Sequence, residues 1–343
     1  MSMIKLVIDC FGGDHSPEAN VLGAAEALEA LPELEIVLSG DEEKIKAELS
    51  GLSFDASRLS VVDAPEVIGC DETPTVAIKQ KKDSSLMRAI ELLRYDESVH
   101  GLVTIGSTGA LVAAATLRVG RIPGVKRPAF CPILPTMKGG VVGVCDSGAN
   151  VDVSVHMLRQ FAVMGSIYLK CAYGMESPRA ALLNIGVEDT KGDELRKSAY
   201  PALAATEGIN FVDNMEAREL LSGDYDLVVT DGFAGNVLIK STEGACLEML
   251  KKLKRDIMSR TINKIGALFM KRMFDEEKRF MDYRNYGGSV LLGCKKIVVK
   301  GHGSSNAAAV KKCIEQAYAM QAAEMIEKTG AAIAGLTETA PQA

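Results

Sequence analysis

Glycine and small polar residues cluster where apolar runs of the sequence give way to helical patterns. The stretch "TDGFAGNVLIK" (230–240) shows this order: an apolar run leads into Asp231 and Gly232, and then Gly235 and Asn236 precede a helix-like run. Glycines before a helix let backbone N–H groups approach an anion closely, and the helix start carries a partial positive charge. A single loop of this kind is more typical of a plain turn with a capping residue.

Five further loops share this composition, which favours anion binding over six plain turns. They read "DCFGGDHSPE", "GSTGA", "DSGANVD", "NIGVEDTKGDEL" and "GHGSSN". The sequence has neither a G-x-G-x-x-G nor a G-K-[ST] motif, so the anion is expected to be phosphate or a phosphate-bearing group. The candidate binding and catalytic residues of the six loops are Gly12, Gly13, Asp14, Ser107, Thr108, Gly109, Asn150, Asn184, Lys191, Asp231, Gly232, Gly235, Asn236, Lys300, His302, Gly303, Ser304 and Ser305.

Two of the four histidines, His15 and His302, lie in these loops. Either could act as a general acid or base near neutral pH, and a turn residue bonded to the backbone fits them equally well. The carboxylates of Asp9 and Asp14 are oxygen ligands of the kind that Mg²⁺ prefers, but carboxylates in glycine loops commonly cap helices. We expect a site without a metal and without an organic cofactor.

The strands and helices predicted around the six loops indicate where these loops lie relative to one another. Apolar runs that read as strands alternate with helical patterns and lie at 5–9, 35–39, 59–63, 101–106, 141–146, 181–186, 226–231 and 296–300. Unbroken apolar runs indicate strands buried on both faces, and the alternation indicates an α/β fold with a mostly parallel sheet between two helical layers. Ligands bind at the carboxyl ends of such strands, so all six loops are expected on one edge of the sheet.

Composition and charge exclude some classes of protein and indicate a cellular compartment. The chain has 343 residues, and its net charge of -6 argues against a nucleic-acid-binding protein. The eight cysteines contain no C-x-x-C spacing, which indicates free thiols in a reducing compartment. The first residues lack a cleavage site of the secretory kind, and the longest uncharged run, 101–117, is short for a membrane span. We expect a cytoplasmic protein with one domain over 1–330 and a flexible tail over 331–343.

Residues 247–284 are predicted to form a basic amphipathic helical arm that protrudes from this domain. Between residues 249 and 274 there are eight Lys or Arg residues and a single acid, Asp256. Apolar residues follow helical spacing and end in a tip that contains Leu268, Phe269 and Met270. The arm could be a pair of packed helices at a dimer contact, or a surface that meets an anionic membrane or an acidic protein.

Several of these motifs, in this order, resemble those of a known family. "IDCFGGDHSPE", "TPTVAIKQKKDSSL", "GSTGALVAAA", "DSGANVD", "LLNIGVEDTKGDEL", "DYDLVVTDGFAGNVLIKSTEG" and "NYGGSVLLGCKKIVVKGHGSS" are similar to the signatures of the PlsX family, the acyl-ACP:phosphate acyltransferases of bacterial phospholipid synthesis. The resemblance covers nearly the whole chain. It implies a three-layer α/β/α sandwich similar to phosphotransacetylases and isocitrate-dehydrogenase-like folds.

The resemblance also implies a reaction and partners. Inorganic phosphate would attack the thioester of a long-chain acyl-acyl carrier protein (ACP), giving acyl phosphate and free carrier protein. The implied partners are acyl carrier protein, an anionic membrane surface on the inner face of the cell membrane, a second copy in a homodimer and the downstream glycerol-3-phosphate acyltransferase. Our own hypothesis is that phosphate binds on the glycine loops around Gly232–Asn236 and Gly303–Ser305.

For each role in that site, two residues are candidates. Lys300 or Lys191 would supply positive charge to the phosphate. Asn236 or Ser304 would donate to the oxyanion, and His302 or Asp231 would handle protons. Two alternative functions are a phosphotransacetylase that acts on acyl-CoA and a non-catalytic membrane scaffold, and the second is disfavoured by the many polar glycine loops.

Overall fold

The computed structural model describes residues 3–280 and 286–336, which form two β-sheets covered by helices. The strands of this part of the chain are β1 (Ile4–Asp9), β2 (Leu34–Gly40), β3 (Leu59–Asp63), β4 (Val99–Thr104), β5 (Ala129–Cys131), β6 (Ile133–Pro135), β7 (Val141–Cys145), β8 (Arg179–Asn184), β9 (Asn210–Glu216), β10 (Leu227–Val229), β11 (Ser289–Leu292) and β12 (Ile297–Lys300). The eight strands predicted from apolar runs are all confirmed.

The helices of the same residues alternate with the strands along most of the chain. They are α1 (Glu18–Ala30), α2 (Glu42–Leu49), α3 (Pro74–Gln80), α4 (Ser85–Tyr95), α5 (Thr108–Ala114), α6 (Val155–Tyr173), α7 (Glu194–Ala204), α8 (Gly232–Met258), α9 (Thr261–Phe269), α10 (Lys271–Phe280), α11 (Ala307–Ala322) and α12 (Met325–Gly335). One π-helical turn, Ala115–Val119, continues α5.

The first sheet has the order β3-β2-β1-β4-β12-β11-β5, and the second has the order β6-β7-β10-β8-β9. Neighbours from β3 to β12 and from β7 to β9 are parallel. The antiparallel pairs all involve β5, β6 or β11. The expectation of one sheet edge is therefore wrong: three of the six glycine loops follow strands of the first sheet, and three follow strands of the second.

A short segment carries the chain from the first sheet to the second, and the chain returns to the first sheet between β10 and β11. Strand β5 pairs in the first sheet and β6 in the second, and only Pro132 stands between them. The N–H of Val144 donates to the Pro132 carbonyl at 3.1 Å, and the Phe130 N–H donates to Asp146 Oδ1 at 2.9 Å. These bonds bring the carboxyl ends of both sets of parallel strands into one region.

Alternating side chains of the strands enter opposite cores, as the unbroken apolar runs indicate. In β10, Leu227 and Val229 pack in the core that contains α6 and α7, whereas Val228 packs against the start of α8. In β1, Leu6 and Ile8 face the core of α1 and α11, and Val7 faces α4 and α5. The protein is thus an α/β/α sandwich, which confirms the predicted fold class.

The strands that the sequence did not reveal are short or polar. β5 and β6 have three residues each, and β9 reads "NFVDNME" with four polar positions of seven. At the other end of the chain, α12 continues to Gly335 and buries Ile333, so the predicted tail from 331 is helical as far as 335. Residues 337–343 of that tail lie outside the described residues.

Helices α8, α9 and α10 correspond to the predicted arm, whose last residues, 281–285, also lie outside the described part of the chain. Helix α8 is 27 residues long, and its buried residues all lie before Lys240. Helix α9 has no buried residue and packs mainly against α8 and α10. Leu268 and Phe269 are 71% and 85% exposed. An apolar tip at the end of basic helices is therefore accessible, while the division into domain and arm stays a prediction.

The close approach of α8 to the second sheet gives a test of this packing. A Cβ at Gly235 would lie 2.0 Å from the Asp146 carbonyl oxygen, whereas a Cβ at Gly244 meets nothing within 4 Å. We expect Gly235→Ala to lower the free energy of unfolding by about 1–3 kcal/mol, because the helix must move away from the backbone. Gly244→Ala on the same helix should instead raise it by about 0.5–1 kcal/mol. Urea denaturation of both variants measures this, and equal effects would contradict the described contact.

Candidate functional site

A cavity of about 490 Å³ opens where the carboxyl ends of the two sheets meet. The loops after β4 and β12 form one side of it, and the loop after β7 with the first turns of α8 forms the other. The predicted site residues that line it are Ser107, Thr108, Gly109, Asn236, Lys300, His302, Gly303 and Ser305.

Three strand ends pair in register beside the first side of the cavity, and Lys300 is the one of them that belongs to the described lining. Asp9, Thr104 and Lys300 end β1, β4 and β12, and Thr104 pairs with both of the others across the sheet. The Thr104 hydroxyl donates to Asp9 Oδ2 at 2.7 Å, and the Phe11 N–H donates to Asp9 Oδ1 at 3.3 Å. Burial raises the pKa of Asp9 to about 6, against the effect of these bonds and of the Lys300 ammonium.

Lys300 brings a nearly buried cation to the cavity wall. Its side chain is part of the lining, and the residue is 9% exposed. The ammonium donates to the carbonyl of Gly301, and burial lowers the pKa of Lys300. An ammonium held in a poorly solvated position gains more from a bound anion than one in water does.

His302 lies next to Lys300 on the same wall. Its Nδ1 accepts from the Ser304 N–H at 3.3 Å and lies 2.9 Å from Ser304 Oγ. Burial, together with the ammonium groups of Lys240 and Lys300, lowers the pKa of His302. The imidazole is therefore neutral at pH 7, and Ser304 orients it without lining the cavity itself.

The first glycine loop supports this wall from behind. The Asp14 N–H donates to the Gly303 carbonyl at 2.8 Å, and the Gly13 N–H donates to Ser16 Oγ at 3.0 Å. A Cβ at Gly13 would come within 2.3 Å of the Ile105 side chain and 3.0 Å of the Gly303 carbonyl oxygen, so a larger residue would require Ile105 to shift. The predicted ligands Gly12, Gly13 and Asp14 thus hold the neighbouring loop in place and do not line the cavity.

Asp146 organises the opposite side. Its carboxylate is fully buried and accepts five hydrogen bonds, from the N–H groups of Phe130, Ser147, Ala149 and Asn150 and from the Asn150 side chain. Burial raises the pKa of Asp146, and the bonds from Asn150, Ala149 and Phe130 oppose that shift. The predicted ligand Asn150 is consequently occupied: its amide nitrogen also donates to the Pro128 carbonyl at 2.7 Å.

The start of α8 rests on this loop. The Gly232 N–H donates to the Asn150 carbonyl at 2.7 Å, and Asp231 caps the helix by accepting from the Ala234 N–H at 2.9 Å. The second oxygen of Asp231 accepts from the guanidinium of Arg196 in α7. Both oxygens of Asp231 are therefore engaged, and Asp231, Gly232 and Gly235 shape the helix start and do not line the cavity.

Three polar side chains of α8 face the cavity at helical spacing. Asn236, Lys240 and Glu243 all belong to its lining. Lys240 Nζ lies 2.9 Å from Glu243 Oε2. A Cβ at Gly148 would lie 2.9 Å from Asn236 Nδ2, so the amide is seated over the loop after β7. The cavity thus combines two lysines, an imidazole and an amide around one volume.

The loop after β8 turns back on itself. Asn184 Nδ2 donates to the carbonyl of Lys191 at 3.0 Å, and the Ile185 N–H donates to Asn184 Oδ1 at 2.8 Å. Neither Asn184 nor Lys191 lines the cavity, and Lys191 is exposed. This sixth loop contributes through Arg196 of the following helix, which bonds to Asp231.

The sequence reasoning missed Lys240, Glu243 and Arg196. Lys240 lies four residues after Asn236, and residues with that spacing share a helix face, so it could have been found. Arg196 offers no such signal, because its partner Asp231 is 35 residues away. Within the residues that the structure describes, no group of three His, Cys, Asp or Glu side chains is placed to hold a metal ion.

The fold is similar to that of solved phosphotransacetylases. It is similar to a phosphotransacetylase from Streptococcus pyogenes, with a TM-score of 0.58, 16% identity and coverage of 95% of this chain and 94% of that one. A branched-chain phosphotransacylase from Enterococcus faecalis gives a TM-score of 0.56 at 15% identity, covering 92% of this chain and 98% of that one. Likenesses at these identities show the fold alone.

The sequence comparisons show the family. The model of the family described as "Fatty acid synthesis protein" matches residues 4–328. A phosphate acyltransferase from Clostridium acetobutylicum is 44% identical over 94% of this chain and 97% of its own length. One from Brevibacillus brevis is 43% identical over 92% of both chains. The chain belongs to this family, the PlsX family, and the prediction of an acyltransferase is confirmed.

The buried Asp9 makes the free energy of unfolding depend on pH. Because the folded state raises the pKa of Asp9 from 3.8 to about 6, it holds this proton more tightly than the unfolded chain does. The stabilisation is complete below pH 4 and is lost as the pH rises towards about 6. Relative to Asp9→Asn, the wild type should therefore lose up to ~3 kcal/mol of unfolding free energy over this range. Urea titrations at pH 4, 5, 6 and 7 measure the difference, which a constant value would contradict.

Proposed function

We propose that this protein transfers a long-chain acyl group from acyl carrier protein to inorganic phosphate. The observation that carries the proposal is the composition of the cavity, in which Lys300, His302 and Lys240 lie on the same volume as buried apolar side chains. Such a site suits a reaction between a small anion and an acyl group. The family of the chain and the phosphate acyltransferases among its relatives support the same reaction.

The proposed reaction needs no further reactant. An oxygen of hydrogen phosphate attacks the thioester carbonyl, the carbon–sulfur bond breaks, and the proton of the hydrogen phosphate ends on the sulfur of the carrier protein. Phosphate is already a nucleophile at neutral pH, so the enzyme has to position it and stabilise the developing oxyanion. No covalent intermediate with the enzyme is required.

The geometry supports one residue in each of the open pairs. Lys300 lines the cavity and Lys191 does not, so Lys300 is assigned to the phosphate. Asn236 faces the same volume and is assigned to the oxyanion in preference to Ser304. The neutral imidazole of His302 is assigned to the proton, because the carboxylate of Asp231 is held by Arg196 and by its helix.

The basic helices suggest which partners the protein binds and where it acts. The basic helices α8 to α10 present positive charge to the acidic carrier protein or to an anionic membrane surface. No helix of the described residues is both long and apolar enough to cross a membrane. We propose a cytoplasmic homodimer that associates peripherally with the inner face of the cell membrane and passes acyl phosphate to the downstream glycerol-3-phosphate acyltransferase.

Replacing Lys300 and Lys191 in turn tests which of the two lysines binds phosphate. Lys300→Met keeps the length of the side chain and removes its charge, and we expect it to raise the KM for phosphate ~10- to 100-fold, as the loss of a charge-assisted hydrogen bond does. Lys191→Met is the matched control and should leave that KM within about twofold, on the physical ground that exposed distant charges are screened. The measurement is the rate of acyl phosphate formation at varied phosphate. A larger effect at Lys191 would overturn the assignment.

The apolar tip can be tested independently of catalysis. Changing Leu268, Phe269 and Met270 to Ser should lower binding to anionic phosphatidylglycerol vesicles at least ~10-fold, because exposed apolar side chains of a basic helix drive interfacial binding. Activity on soluble acyl carrier protein should stay within about twofold. A control that changes Tyr95 and Leu117, exposed at 71% and 64% elsewhere on the surface, should bind as the wild type does. Sedimentation with vesicles measures this, and unchanged binding of the triple variant would refute the role of the tip.

A further inference from the structure

One wall of the cavity is apolar and is built by the segment that crosses between the sheets. Phe130, Pro132, Ile133 and Leu134 all line the cavity, and Ile239 of α8 joins them. Phe130, Ile133, Leu134 and Ile239 are each exposed by 6% or less. These residues border a volume that the described residues leave unfilled, and they do so next to the polar groups of the site.

Strand pairing on both sides makes this wall rigid. In the first sheet Phe130 pairs with Leu291, and in the second sheet Ile133 and Leu134 pair with Gly143 and Val142. The Phe130 N–H is also fixed by Asp146. A backbone held in two sheets cannot yield to a ligand as a mobile loop does.

The side chains of the wall are anchored in separate cores. Phe130 packs in the core of α4 and α5, Ile133 in the large core of α1 and α6, and Leu134 in the core at the start of α8. None of these side chains can swing away without opening a void in its own core. The shape of the apolar wall is therefore fixed by the fold.

We propose that residues 130–134, together with Ile239, form the seat of the acyl chain and set which chain lengths are accepted. This inference rests on the proposed function, because the phosphate held by Lys300 fixes where the thioester carbonyl must lie. The hydrocarbon then extends from that carbon along this wall, which holds five apolar residues of the described lining. Each methylene buried there strengthens binding roughly fourfold, so a rigid wall discriminates by length.

The first test introduces a larger side chain at Leu134 to narrow the seat of the acyl chain. We expect Leu134→Phe to lower kcat/KM for the hexadecanoyl thioester of acyl carrier protein at least ~10-fold relative to the octanoyl thioester, since one or more methylenes lose their place. The KM for phosphate should stay within about twofold. The readout is acyl phosphate formation with both donors, and a ratio of the two donors equal to that of the wild type would overturn the proposal.

Leu183→Phe is the matched control. Leu183 lies in the same core as Leu134 and is exposed to a similar extent, 8% against 6%, but it does not line the cavity. This variant carries the same overpacking and should keep the donor ratio of the wild type. An equal shift in both variants would show a general effect of core strain and would refute the seat. If the wild type forms acyl phosphate from neither donor, the proposed function itself fails.

A second measurement uses the wild-type protein and does not depend on how a variant folds. A hexadecanoyl thioester of acyl carrier protein with a photoreactive diazirine at the end of the chain is bound, irradiated and mapped by mass spectrometry. The expected labels fall within 129–135 or at Ile239, and excess unlabelled donor should suppress them. Competable labelling confined to any other segment would overturn the proposal.

Discussion

The arrangement of the site depends on the hydrogen bonds that the buried carboxylate of Asp146 accepts. This carboxylate accepts hydrogen bonds from Phe130 in the first sheet and from Ser147, Ala149 and Asn150 in its own loop. Asn150 in turn accepts from Gly232 at the start of α8. Burial of a carboxylate is costly and raises its pKa, and removal of the carboxylate would leave the N–H groups that donate to it unpaired at a further cost. One side chain thus fixes the crossing segment, a loop and a helix relative to one another.

The cavity follows from this junction. Because the sheets meet at their carboxyl ends, the end of β12 supplies Lys300 and His302 on one side, α8 supplies Lys240 on the other, and the crossing segment supplies apolar surface. The burial that brings Lys300 and His302 to the cavity also lowers the pKa of each, which holds the imidazole neutral at pH 7. A wall with a buried lysine and an apolar wall are therefore two consequences of the same packing.

The sequence predicted local features well and long-range pairings poorly. Strands such as Ile4–Asp9 were visible because residues buried on both faces must be apolar, and the glycine loops were visible because close approach of backbones excludes side chains. The division into two sheets was hidden, since it depends on the pairing of two three-residue strands around Pro132. Composition alone also could not separate Asn236, which faces the cavity, from Asp231, which is held by Arg196.

The central claim is that phosphate bound in this cavity attacks the thioester directly. The most direct measurement mixes the wild-type protein with hexadecanoyl-acyl carrier protein, with and without phosphate, and follows free carrier protein and acyl phosphate together. The account predicts equal amounts of both products in the presence of phosphate and no release of carrier protein in its absence. Release of one equivalent per enzyme without phosphate would reveal a covalent acyl-enzyme and contradict the account, as would faster acyl phosphate formation from hexadecanoyl-CoA.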